Sequence, residues 1–175
     1  LITNFVTKKL VKCIKKEKPD VVHTHLDVIK YAVAAAKLSG IRCCVHTVHN
    51  VAHEEAEGRL QKIVNTVYFK LGWSVPVALS PEVRRTIVSF YGLKEEKVPM
   101  IYNGVDLGKC LPKEDYSLSE PACLLHIGRF NDQKNHKGLL QAFAKITESH
   151  PDCVLQLIGD GELREETQQL AATLG

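Results

Sequence analysis

The sequence lacks the residue groupings that mark metal-stabilised and disulfide-stabilised proteins. Its six cysteines include no Cys-x-x-Cys pair, and none stands with histidines at the spacing of a zinc site. No apolar run approaches the ~18 residues of a membrane span, and no signal-peptide pattern opens the chain. We therefore expect a cytoplasmic protein with reduced cysteines. Four cysteines lie in runs typical of buried strands, namely Cys43, Cys44, Cys123 and Cys153.

Charge is also nearly balanced. The formal net charge is +3, and no basic stretch interleaved with aromatic residues occurs, so the sequence argues against a nucleic-acid partner. Hydrophobic residues make up 45% of the chain and charged residues 25%, which is typical of a globular protein with a real core.

Lysines cover one side of the first helical segment. Apolar residues recur at helical spacing over residues 1–18, and Pro19 ends the pattern. The lysine face is either a solvated surface, which the general behaviour of such helices favours, or a contact with an anionic membrane or an acidic acceptor. Its lysines are Lys8, Lys9, Lys12, Lys15 and Lys16.

Strand and helix patterns alternate along the rest of the chain. This alternation predicts an α/β fold with parallel strands covered by helices on both faces. The predicted strands are 20–25, 41–48, 74–79, 97–102, 124–127 and 153–158. The predicted helices are 27–38, 56–71, 81–91, 138–150 and 162–174.

The periodicity fails near the middle of the chain, where glycine, proline and serine accumulate among charges. Such a stretch is typical of a linker. We therefore predict one α/β unit over residues 1–105, a linker over 106–120 and a second α/β unit over 121–175.

The loop between the strand at 124–127 and the following helix carries two cations. Gly128 ends the strand, and Arg129 and Lys134 follow before Gly138 opens the helical pattern. An arginine fork and a lysine charge near a helix N-terminus suit the binding of a diphosphate. That both are ordinary solvated loop residues remains an open alternative.

Histidines stand at the ends of two predicted strands. His25 ends the first strand and His49 follows the second. His23 and His46 lie inside the strands, where we expect core positions. The acidic group after His49 is either a solvated cluster or an acceptor contact, with solvation favoured; it comprises His53, Glu54, Glu55 and Glu57.

Six motifs in order resemble one enzyme family. The chain reads PDVVHTH, TVHN, ALSPEVRRTI, IYNGVD, HIGRFNDQKNHKGLLQAF and LIGDGELREETQQLA. This series resembles the retaining glycosyltransferases of family 4, the group 1 class, which have the two-Rossmann GT-B architecture. The resemblance implies parts of two Rossmann-like domains, with the acceptor-side domain first and the nucleotide-sugar domain second.

The resemblance also implies roles for particular residues. Gly128, Arg129 and Lys134 match the loop that neutralises the donor diphosphate. His25 and His49 match histidines at the reaction centre. Asn103, Gly104 and Asp106 match the NGVD turn, where a hinge would let an interdomain cleft close.

The implied reaction moves a sugar from a nucleotide-diphosphate sugar to a glycan or lipid-linked acceptor with retained configuration, in polysaccharide or cell-envelope synthesis. The nucleotide sugar is a substrate, and the resemblance implies no metal and no cofactor. The family's glycine-rich loop and its pair of glutamates are not found, so we expect a central fragment that is inactive alone.

Two other functions remain open. A dehydrogenase would need Gly-x-Gly-x-x-Gly, but after Gly159 and Gly161 the third position is Arg164. A non-catalytic module that binds a nucleotide sugar is the stronger alternative.

Overall fold

The structure, a computed structural model, describes residues 2–56, 58–117 and 121–175 and divides the chain into two compact units. The first unit is Leu1–Leu107 and the second is Gly108–Gly175. Each unit contains its own parallel sheet, which confirms the predicted α/β architecture. The predicted linker boundaries stay predictions, and its residues 118–120 lie outside the described ranges.

Three parallel strands form the sheet of the first unit, in the order β1-β2-β3. His25 lies beside Thr47, and Val48 lies beside Ala78, so the three carboxyl ends reach the same edge. The strands are β1 Val21–His25, β2 Cys43–Val48 and β3 Val75–Ala78. The described helices are α1 Ile2–Glu17, α2 Ile29–Leu38, α3 Ala52–Glu55, α4 Gly58–Lys70 and α5 Pro81–Tyr91.

Helix α5 begins and ends where its sequence predicts. The Ser80 hydroxyl accepts a hydrogen bond from the Val83 N–H at 3.2 Å, and Pro81 takes the first helical position, where its missing N–H is harmless. Gly92 adopts the left-handed conformation that closes the helix, with φ of +61°.

The helices of this unit meet the sheet in one hydrophobic core. The sheet contributes Cys44, Val48 and Ala78, and partly buried Val22 packs against them. The largest helical contributions come from Ile29, Val33 and Ile87.

The opposite face of the same sheet is more exposed. Val21 is 49% exposed and Val75 is 41% exposed, and His23 and His25 are also exposed. The prediction of a sheet covered on both faces is therefore wrong for the described residues, because the apolar sides of the described helices converge on one face. The core position predicted for His23 is wrong for the same reason.

Two further local predictions are wrong. The strand predicted over 97–102 is reduced to a single bridge between Ala78 and Met100, since Pro99 has no N–H to extend the ladder. Of the four cysteines predicted to be buried, only Cys44 is buried, while Cys43 and Cys123 are exposed.

Two parallel strands and two helices form the second unit. The strands are β4 Cys123–Ile127 and β5 Val154–Ile158, and the helices are α6 His136–Thr147 and α7 Arg164–Leu174. Helix α6 begins before the predicted residue 138, because Asn135 adopts φ of +46° and its side chain accepts from the Gly138 N–H at 3.1 Å. No helix in the described residues is long and apolar enough to cross a membrane.

The loops after β4 and β5 run against each other at backbone distance. The Gly128 N–H donates to the Ile158 carbonyl and the Phe130 N–H donates to the Asp160 carbonyl, each at 2.9 Å. Gly161 has φ of +152°, and a Cβ there would lie 2.4 Å from the Phe130 carbonyl oxygen. Glycine is therefore required at this position on two grounds, conformation and space.

We expect Gly161→Ala to destabilise the second unit by roughly 1–3 kcal/mol, because it combines backbone strain with a clash against main-chain atoms. Gly104→Ala is the matched control, since no atom lies within 4 Å of a Cβ built there. Urea unfolding of both variants checks this. Equal stability of the two variants would contradict the close approach of the loops.

Candidate functional site

The predicted diphosphate loop follows β4 and presents both of its cations to solvent. The Arg129 guanidinium donates from Nη2 to Glu162 Oε2 at 3.1 Å, with side-chain exposures of 69% and 56%. The pKa of Glu162 lies below its ordinary value, chiefly because its own main-chain N–H bonds to it and then because of Arg129. An exposed ion pair of this kind is weak, so another anion can replace Glu162 as the partner of Arg129.

Lys134 ends a short 3-10 turn, Asp132–Lys134, within the same loop. Its main-chain N–H donates to the Asn131 side-chain oxygen at 3.3 Å, which fixes the start of the turn. Its aliphatic stem passes over Gly128, where a built Cβ would lie 3.6 Å from the lysine Cγ and Cδ. That distance is ordinary van der Waals contact, and the tighter contact of the built Cβ is with His126 Nε2, at 3.1 Å.

Two buried rings support this loop from beneath. Phe130 is 4% exposed and His136 is 3% exposed, and the rings stack with centroids 4.1 Å apart. His126 meets His136 edge-on at 5.0 Å. Burial, and then the neighbouring His126, lower the pKa of His136, so the ring packs here in its neutral form. The stack anchors the loop while Arg129 and Lys134 remain on its outer side.

His25 and His49 lie together at the carboxyl edge of the first sheet. The distance between His25 Nδ1 and His49 Nε2 is 2.7 Å, so one proton is held between two exposed rings. His23 lies on the same face, with Nε2 2.8 Å from Thr47 Oγ1. The pKa of His23 is lowered by partial burial and then by the neighbouring histidines.

A buried polar network on the opposite face was not predicted. His46 is 1% exposed, and its Nε2 lies 3.0 Å from Glu55 Oε1. The other carboxylate oxygen accepts from the main-chain N–H groups of His49 at 2.6 Å and Asn50 at 3.2 Å. The Glu55 side chain is only 8% exposed, so the favoured prediction of a solvated acidic cluster is wrong for this residue. Glu57, assigned to the same cluster, lies outside the described residues.

The sequence signal for this network was present but ambiguous. Glu55 stands among acidic neighbours, and Glu54 is indeed 59% exposed. The two differ only in which side of the four-residue helix α3 they occupy, and a helix this short has no readable periodicity.

The predicted hinge residues lie outside regular secondary structure. Asn103, Gly104 and Asp106 are exposed and fall between the bridge at Met100 and a 3-10 turn, Leu107–Lys109. Their hinge role stays a prediction. Among the described residues, no group of three or more potential ligand side chains is arranged to hold a metal ion.

Comparison with family models covers both units. The model described as Glycosyltransferase Family 4 matches residues 2–109, and the model described as Glycosyl transferases group 1 matches residues 113–175. The first match alone includes more than half of the chain.

Curated relatives agree with the family models. The chain is 32% identical over 174 residues to an Escherichia coli UDP-Gal:alpha-D-GlcNAc-diphosphoundecaprenol alpha-1,3-galactosyltransferase, covering 90% of this chain and 44% of the relative. It is 25% identical over 182 residues to an uncharacterized glycosyltransferase of Methanocaldococcus jannaschii, covering 94% and 45%. The chain thus spans about half the length of these relatives.

Solved structures show the same fold. The lipopolysaccharide outer core galactosyltransferase WaaB matches with a TM-score of 0.64 at 23% identity, covering 99% of this chain and 46% of WaaB. TarM matches with a TM-score of 0.72 at 11% identity, covering 94% and 33%. Together with the model that matches residues 2–109, these findings show that the chain belongs to glycosyltransferase family 4 and has a GT-B-type α/β fold.

Proposed function

We propose that the whole protein transfers a sugar from a nucleotide-diphosphate sugar to a glycan or lipid-linked acceptor, with retention of configuration and without a metal or other cofactor. The observation that carries the proposal is the loop after β4, where Arg129 and Lys134 are exposed above a buried Phe130–His136 stack. Membership in glycosyltransferase family 4 supports a sugar as the group transferred.

The cations of this loop can stabilise the negative charge that develops when the glycosidic bond of the donor breaks. Negative charge grows on the leaving diphosphate as the glycosidic bond lengthens, and cations already in place stabilise that state more than the ground state. Arg129 uses Nη2 on Glu162, which leaves other guanidinium donors for phosphate oxygens. The exposed Glu162 carboxylate holds the guanidinium over the loop and gives way to a dianionic ligand.

The histidine pair suits the sugar rather than the phosphate. Two imidazoles sharing a proton at 2.7 Å present a donor or an acceptor to a hydroxyl without a net change in charge. We assign His25 to the reacting sugar and His49 to its orientation. We assign Asn103, Gly104 and Asp106 to hinge motion between the units.

The named substrates of one relative make the proposal more specific. The Escherichia coli relative takes galactose from UDP-galactose to a diphosphoundecaprenol-linked GlcNAc. A lipid-diphosphate acceptor would bring the protein to the cytoplasmic face of a membrane, where the basic helix α1 is available for peripheral contact.

We expect Arg129→Ala to reduce kcat/KM for the donor by about two orders of magnitude, because one preorganised contact to the leaving group is lost. Thermal stabilisation by a panel of nucleotide sugars identifies the donor, and release of nucleoside diphosphate by the whole protein measures turnover. Arg85→Ala, which removes an exposed arginine from α5, is the matched control. Unchanged turnover in Arg129→Ala would contradict the assignment of Arg129 to the donor diphosphate. Donor binding that depends on Arg129, without any turnover, would instead favour the non-catalytic binding module.

We expect His25→Ala to lower kcat by about 100-fold while the Kd for the nucleoside diphosphate stays unchanged, since the histidine meets the sugar and not the phosphates. Steady-state kinetics and calorimetric titration give the two quantities separately. His53→Ala is the control, because His53 is exposed and its Nε2 lies 3.6 Å from the carboxylate of its neighbour Glu54. An effect on binding alone would remove His25 from the reaction centre.

We expect reversal of three exposed lysines in α1 to abolish binding to anionic vesicles. Lys8, Lys9 and Lys12 are replaced by glutamate, and each lysine near such a surface contributes about 1 kcal/mol. Cosedimentation with phosphatidylglycerol vesicles measures the effect, and the control reverses the exposed Lys94, Lys97 and Lys113. Equal losses in the two triple variants would show that net charge, and not helix α1, directs the protein to the membrane.

A further inference from the structure

The first two residues after β2 bond through their main chain to the side chain of Glu55. After Val48 the sheet ends, and the N–H groups of His49 and Asn50 need new acceptors. Both donate to the same oxygen of Glu55, at 2.6 Å and 3.2 Å. Bonds from main-chain donors to a carboxylate are stronger than those to a neutral acceptor. The conformation at His49 therefore depends on a residue six positions later.

The second oxygen of Glu55 ties this turn to the sheet. It lies 3.0 Å from His46 Nε2, and His46 Nδ1 lies 2.9 Å from Thr24 Oγ1. Thr24 in turn donates to the Val45 carbonyl at 3.2 Å. The carboxylate is thus joined through buried groups to β1 and β2, the two strands that end beside His25 and His49.

Burial makes the carboxylate sensitive to the loss of any of these bonds. Burial by itself raises the pKa of Glu55, but the hydrogen bonds from His46, His49 and Asn50 outweigh it, so the pKa lies below its ordinary value. The groups that face the carboxylate are His46 and, from α5, Tyr91, whose own pKa is raised by burial and further by Glu55. The carboxylate is therefore ionised at neutral pH.

We propose that Glu55 is a positioning residue for the transfer reaction. It fixes the main chain of His49 so that the His49 ring stays 2.7 Å from His25. This inference rests on the proposed function, because the histidine pair is the group whose placement affects the transferred sugar. In this proposal the Glu55 carboxylate acts through His49 and does not contact the substrate.

The test compares Glu55→Gln with Glu54→Gln in the whole protein. Glutamine keeps the size of the side chain but removes its charge. With the glutamine oxygen toward His49 and Asn50, the NH2 group faces His46 Nε2, so the ring must change from donor to acceptor and the main-chain bonds are no longer charge-assisted. Glu54 is the neighbouring residue and is 59% exposed, so its variant controls for charge and position. We expect Glu55→Gln to lower kcat about 10- to 100-fold with KM for the donor within about threefold, because misplacement near the chemistry affects the transition state. We expect Glu54→Gln to match the wild type.

A spectroscopic readout separates failure of this inference from failure of the proposed function. In ¹⁵N NMR, the hydrogen bond between His25 and His49 gives a coupling between the two ring nitrogens, which does not require turnover. We expect it in the wild type and in Glu54→Gln, and we expect its loss in Glu55→Gln. Persistence of the coupling in Glu55→Gln would overturn the positioning role even in a protein without transferase activity.

A second variant covers the case in which Glu55→Gln does not fold. Glu55→Asp keeps the charge but is one methylene too short to reach all three donors, and we expect the same loss of kcat in a smaller degree. In a double-mutant cycle, Glu55→Asp should have little further effect on kcat when His49→Ala is already present. Additive losses would show that Glu55 does not act through His49.

Discussion

Parallel pairing of the strands determines where the candidate histidines and the cationic loop of this protein lie. In the first unit, β1 pairs with β2 so that His25 stands beside Thr47, and His49 follows two residues later. In the second unit, the pairing of β4 with β5 continues through Gly128 and Phe130 against Ile158 and Asp160. Polar groups that are separated in the sequence therefore collect at the carboxyl ends of the strands, where ligands of such sheets bind.

Different interactions position the candidate groups at the carboxyl edges of the two sheets. The cationic loop of the second unit is shaped by packing, with a flat Phe130–His136 stack below it and two glycines that let the next loop approach. In the first unit, charge-assisted hydrogen bonds to the buried Glu55 carboxylate hold the main chain at His49, whose ring bonds to His25. Packing leaves the Arg129 and Lys134 side chains exposed, whereas hydrogen bonds restrict the main chain at His49 more narrowly.

The sequence was informative wherever local chemistry decides the structure. Ser80, Pro81 and Gly92 predict both ends of α5, and the strand ends at His25 and Gly128 predict the candidate residues that follow. The sequence was uninformative where a side chain can either lie in solvent or bond to a residue outside its own helix or strand. Glu54 and Glu55 are chemically identical neighbours, and only the tertiary contact with His46 distinguishes them. The apolar residues of β1 and β3 likewise do not reveal which face the described helices cover.

We propose above all that the loop from Gly128 to Gly138 binds a diphosphate through Arg129 and Lys134. Titration of the ¹⁵N-labelled chain with inorganic pyrophosphate, followed by amide chemical shifts and repeated with sulfate at equal ionic strength, tests it most directly. We expect saturable shifts confined to this loop and to Glu162, and we expect pyrophosphate to bind more tightly than sulfate. Shifts spread over the lysines of α1, or identical responses to both anions, would contradict it.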